Sequence, residues 1–139
     1  LDRGIKKGDI PATSKNLELL GNAWRQAQEL KKAIPEMEKA ASKSDKGELW
    51  SRLGNIYLDN DQFDKAAEAI ENAFKKGDIK RPDNAYLVLG MARFNLQEYE
   101  GARKAFKEAA KSEKSADYAK QWMEFMNKEL ERQEALKDG

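Results

Sequence analysis

The sequence predicts an all-α fold in which antiparallel helix pairs stack in line as a solenoid, three pairs and one closing helix. Three observations predict it. Leu-Gly pairs recur at Leu20-Gly21, Leu53-Gly54 and Leu89-Gly90, so an internal period lies near 34 residues. Within the copies apolar residues fall at steps of three and four, as in Leu49, Trp50, Leu53, Ile56 and Tyr57, and again in Ala66, Ala69, Ile70, Ala73 and Phe74. Small and large residues also recur in a fixed order. A large side chain precedes each Leu (Leu17, Trp50, Tyr86), an Ala follows each Gly (Ala33, Ala66, Ala102), then a bulky residue (Met37, Ile70, Phe106) and another Ala (Ala40, Ala73, Ala109). Two helices approach closely where a small residue sits opposite a large one, and bulk at those sites should separate them.

Taken in order, residues 1–13 read as the tail of a preceding repeat and a linker. The string KKGDI at Lys6 to Ile10 recurs at Lys75 to Ile79, each time at the same distance before a Leu-Gly pair. The chain thus reads as a piece of a longer array, with any targeting signal upstream. The first repeat, 14–46, is expected to hold helices at about 14–27 and 30–42. Pro35 falls inside the second of these, where it removes a backbone hydrogen bond and should bend or loosen the first turn. The second repeat, 47–82, is read as helices at about 47–59 and 63–76. The third, 83–115, is read as helices at about 83–95 and 99–111, with Pro11 and Pro82 in linkers. The segment 116–139 is read as a capping helix from Ala116 to about Leu136, with Ala119, Trp122, Met123, Met126 and Leu130 on one stripe and a charged, solvated tail.

Composition narrows the function. Of 139 residues 37% are charged, yet 26 Lys plus Arg against 25 Asp plus Glu leave a net charge of +1. This gives no long-range pull toward phosphate or anionic lipid. The absence of His and Cys removes thiol and imidazole nucleophiles, His bases, Cys/His zinc sites and disulfides. A 40% apolar content suits one domain with a core. Asp59-Asn60-Asp61 looks like the start of a calcium loop, but Asp64 stands where Gly is needed and Ile70 where Glu is needed. The basic cluster Lys75, Lys76, Lys80 and Arg81 is interrupted by Asp78 and has no aromatic platform, which argues against nucleic acid. Glu98 and Glu100 lie on a polar face, and no Gly-rich phosphate loop is present. No catalytic residue, metal ligand, cofactor or membrane insertion is therefore expected.

Trp50, Leu53, Gly54 and Tyr57, followed by the spaced Ala residues of the second helix, resemble the tetratricopeptide repeat with its W-x2-L-G-x2-Y opening. The resemblance implies a right-handed superhelix whose first helices line a concave groove that binds an extended or helical segment of another protein. In this family positions two, five, nine, twelve and thirteen of each repeat face that groove. Transferred here, they are Lys15, Glu18, Asn22, Arg25 and Gln26 in the first repeat, then Glu48, Ser51, Asn55, Leu58 and Asp59 in the second. The third gives Asn84, Leu87, Met91, Phe94 and Asn95. The groove so drawn is polar at its start and apolar toward Leu58, Leu87, Met91 and Phe94. Met91 and Phe94 have a competing reading as packing beneath the closing helix. A subgroup that grips a C-terminal carboxylate is matched by Asn22 but not by Glu18, Arg52, Asn84 or Val88.

The segments from Asn16 to Ile70 and from Lys75 to Ala110, with AKQWMEFM after them, resemble the C-terminal part of tetratricopeptide proteins encoded beside TonB-ExbB-ExbD energy-transduction components in gamma-proteobacteria. That resemblance implies an exported, periplasmic parent whose solenoid contacts the TonB system or its outer-membrane clients. The lack of cysteine fits the cytosol equally well. The functional expectation is a non-catalytic interaction scaffold. The alternative is a purely structural solenoid segment, or a self-association module of a longer protein that pairs through exposed solenoid ends.

Overall fold

The computed structural model describes residues 14–138, with side chains from residue 29 to residue 137. The predicted tail at 1–13 lies outside the described residues. Among the described residues six helices follow one another: α1 (Ser14–Lys43), α2 (Glu48–Asp59), α3 (Phe63–Lys76), α4 (Pro82–Asn95), α5 (Tyr99–Ala109) and α6 (Glu113–Asp138). All regular structure among the described residues is helical. The chain divides into two compact units, residues 1–39 and 40–139.

In the first unit the expectation of two helices is corrected. α1 runs without a break through 28 and 29, and Pro35 lies well inside it. The comparison with the turns that do form gives the reason. α2 and α4 end on Asp59 and Asn95, and the chain reverses through Asp61 (φ 59°) and Gln97 (φ 64°). The amide of Asn95 donates to the Met91 carbonyl at 2.8 Å, a local bond that competes with helix continuation. The aligned stretch of α1 is Gln26-Ala27-Gln28, a run of helix formers with no short polar residue. Leu30 stands where Phe63 and Tyr99 begin their helices, and it is exposed rather than packed.

In the second unit α2 packs antiparallel on α3, α4 on α3 and α5, and α6 on α4 and α5. The α2–α3 pair closes over Leu53, Tyr57, Ala66, Ala69, Ile70 and Ala73, all buried. Gly54 permits this approach, since a Cβ there would strike the Ile70 side chain. The α4–α5 pair repeats the device, with Gly90 facing the Phe106 ring and a Cβ meeting its Cε1 at 2.5 Å. The predicted small-to-large matching is thus the packing code of both pairs. Between pairs, Phe74 and Tyr86 stack with centroids 4.4 Å apart. Arg93, standing where Tyr57 stands one repeat earlier, pairs with Glu71 of α3 at 3.2 Å and donates to the Gly101 carbonyl at 3.3 Å.

The joint after Lys43 depends on two backbone contacts. Gly47 N donates to the Gly77 carbonyl at 2.6 Å, and a Cβ on Gly47 would collide with the Ala73 carbonyl. The Lys76 ammonium donates to the carbonyls of Ala41, Ser42 and Ser44 at 2.8, 2.7 and 2.7 Å, closing the C-terminal end of α1 with a cation. Gly77 adopts φ 78°, which the turn into α4 requires and side chains resist. Asp78, with φ 53°, adopts the same half of the map.

Candidate functional site

The groove positions divide into three groups. Lys15, Glu18, Asn22, Arg25 and Gln26 lie on α1, with side chains outside the described residues. On α2, Glu48, Asn55 and Leu58 are half-buried and Asp59 is exposed, whereas Ser51 is buried. The Asn55 amide donates to the Ser51 carbonyl of its own helix at 3.2 Å, leaving its Oδ1 acceptor without a partner among the described residues. α2 and α4 lie in contact, which sets the half-buried Asn84 on the neighbouring first helix.

The third group corrects the expected apolar end of the groove. Leu87 is buried in a core with Ala102, Phe106, Ala109, Ala119 and Met126, and Met91 and Phe94 pack against that core. Phe94 meets Tyr99, Trp122 and Phe125 edge-on, with centroids at 5.9, 5.9 and 5.6 Å. Trp122 also stacks on Phe106, 9° from parallel. The cause is α6, whose aromatic residues cover the exposed apolar ends of α4 and α5. Leu87 is thus buried, and Met91 and Phe94 are half-buried and packed against the same core. Asn95 is exposed at the end of α4.

Three polar ties hold α6 in place. The buried Ser115 hydroxyl donates to Asp83 Oδ2 at 2.6 Å, Arg103 donates to Asn127 Oδ1 at 3.1 Å, and Gln133 donates to the Tyr99 hydroxyl at 3.2 Å. Asp83 also accepts two bonds from Arg81, at 3.1 and 2.7 Å. The Arg81 bonds hold the Asp83 carboxyl well below the usual carboxylate range; the Ser115 bond acts the same way, and partial burial opposes both. This cluster lies at the N-termini of α4 and α6, and every carboxylate oxygen in it is engaged. Sequence reasoning missed it, because Arg81 and Ser115 come from different repeats.

Among the described residues no group of three His, Cys, Asp or Glu side chains is arranged to hold a metal ion. No helix there is long and apolar enough to cross a membrane. The polar surface of α2 offers the Asn55 amide and the Glu48 and Asp59 carboxylates beside a half-buried Leu58, chemistry suited to a peptide.

Comparison with known proteins agrees with the packing code. Residues 51–119 match the tetratricopeptide repeat family model, from the first helix of one repeat to the start of the closing helix. No curated protein and no solved structure matches the chain. The family is a non-catalytic repeat scaffold whose members mediate protein–protein interaction. Over residues 51–119 the chain is similar to the tetratricopeptide repeat family.

Proposed function

We propose that this protein is a non-catalytic adaptor that binds a segment of another protein along the first helices of its repeats, on the face bearing Glu48, Asn55, Leu58 and Asn84. The observation that carries this is the contrast between α2 and α4. On α2 the groove positions other than Ser51 are half-buried or exposed, while on α4 Leu87 is buried and the half-buried Met91 and Phe94 pack against the core that α6 helps to form. The remaining face is polar, with Glu48 and Asp59 its charged residues, so its partner segment is mainly hydrogen-bonded along its backbone, with Leu58 receiving one apolar anchor.

The resemblance of the Asn16–Ile70 and Lys75–Ala110 segments to TonB-linked repeat proteins supports a further reading, that the adaptor works in the periplasm within a TonB-linked transport assembly. The test is crosslinking pull-down of the protein expressed in its native cell, beside an Asn22→Ala/Asn55→Ala variant. Recovery of TonB-system components that the variant loses is the expected result. Recovery of cytosolic partners alone overturns the periplasmic reading, and equal recovery by the variant overturns the site.

A further inference from the structure

α6 carries a second stripe that borders the one packed on the core and shares Trp122 with it. Tyr118, Trp122, Phe125, Glu129, Arg132 and Leu136 follow one another at alternating steps of four and three, the period of a coiled-coil seam. Their flank of the helix is open: Tyr118, Phe125 and Leu136 are 62%, 54% and 66% exposed, and among the described residues only Leu30 joins them as an exposed large apolar residue. Tyr118, Gln121, Trp122 and Phe125 line an open cavity of about 240 Å³. Residues so spaced on one helix form the four corners of a hole that accepts a side chain from a facing helix. In the middle of the stripe Arg132 binds Glu129 through two bonds, at 3.1 and 2.5 Å.

The order of these residues is self-complementary. A second α6 laid antiparallel, with the two-fold axis passing between Leu130 and Glu131, brings Glu129 opposite the partner's Arg132 and Phe125 opposite the partner's Leu136. Both relations hold again in the reverse sense, as an isologous interface requires. The partner's Leu136 then stands at the mouth of the Tyr118–Phe125 cavity. One acid and one base at the centre give each copy the counter-charge it needs. A net charge of +1 offers little resistance to pairing of whole chains.

We infer that this flank of α6 is a homodimer interface in which two copies pair antiparallel through Phe125, Leu136 and a reciprocal Glu129–Arg132 exchange. The surface is separate from the α2 face, and the inference does not rest on the adaptor reading.

The experiment is sedimentation equilibrium of the full 139-residue chain from low to high micromolar concentration, with circular dichroism on every variant. The wild type is expected to show a reversible monomer–dimer equilibrium. Phe125→Glu and Leu136→Glu should be monomeric at unchanged helicity. Glu129→Arg alone and Arg132→Glu alone each place like charges across the axis and should weaken pairing by about tenfold or more. Mixing these two variants should restore a dimer, because every charge then meets its opposite across the interface although neither chain retains its internal pair. A wild type that stays monomeric throughout overturns the proposal. Mixed variants that pair no better than each alone overturn the antiparallel register.

Discussion

Gly47 shows how little room the joint between α1 and α2 leaves. Its amide bonds the Gly77 carbonyl, and a methyl group would meet the backbone of Ala73, which cannot swing aside as a side chain can. Gly47→Ala should therefore cost about 1–3 kcal/mol, read as a lower urea midpoint at unchanged slope. Gly54 faces the flexible Ile70 side chain instead. Gly54→Ala should cost less than Gly47→Ala, whereas Gly54→Leu should cost about 1–3 kcal/mol by overpacking. An unchanged midpoint for Gly54→Leu would show that the helix register is wrong. Asp83 adds a pH dependence of known sign. Its carboxyl lies below the ordinary range in the folded protein, so the stability it adds is present above the unfolded value near 4 and is lost as pH falls through the lower folded value. Asp83→Asn should remove about 1–2 kcal/mol at neutral pH and flatten the acid limb of the stability curve. Gly54 is legible in the sequence through its repeat position. Gly47 and Asp83 are not, because their importance comes from Gly77, Arg81 and Ser115, residues that only the fold brings to them.

At the scale of helices, residues 47–111 are legible because each joint carries its own stop signal and each pair carries its own small-to-large code. The expected helices at 63–76 and 99–111 appear as Phe63–Lys76 and Tyr99–Ala109. The first repeat is not legible in the same way. Its Leu20-Gly21, Ala33, Met37 and Ala40 fit the spacing, yet the turn between the two halves lacks Asn or Asp, and α1 remains one helix. Spacing alone reports which faces match, not whether the chain reverses. Within α1, Pro35 has no N–H for the Lys31 carbonyl. Pro35→Ala should raise the helical signal at 222 nm and stabilise the fold by about 1–3 kcal/mol at most, read as a higher thermal midpoint. No gain would mean that the helix is interrupted at that point. The closing helix is legible as amphipathic, but its role in hiding Leu87, Met91 and Phe94 is not, since a stripe in sequence does not say which neighbour it covers. The Lys76 cap on α1 is hidden for the same reason: a basic residue in a charged run gains its meaning from three carbonyls in the preceding repeat. Lys76→Met should expose those carbonyls and speed amide exchange in the last turn of α1 relative to α3.

For the molecule as a whole, the repeat packing confines function to a surface. Both helix pairs of the second unit close over buried Ala, Leu, Ile, Val and Phe side chains, with Tyr57 and Ser51 buried beside them on α2. The proposed binding surface is the polar face of α2 with its continuation onto Asn84. The partner site was legible as a set of family positions, but only the packing of α6 divides those positions into surface and core. The most direct measurement is site-specific photo-crosslinking in the native cell, with the photoreactive residue placed at Asn55 in one variant and at the exposed Lys107 of α5 in another. The predicted result is one defined protein partner captured from position 55 and not from position 107. Equal capture from both positions, or none from position 55, would contradict the assignment of this face as the binding surface.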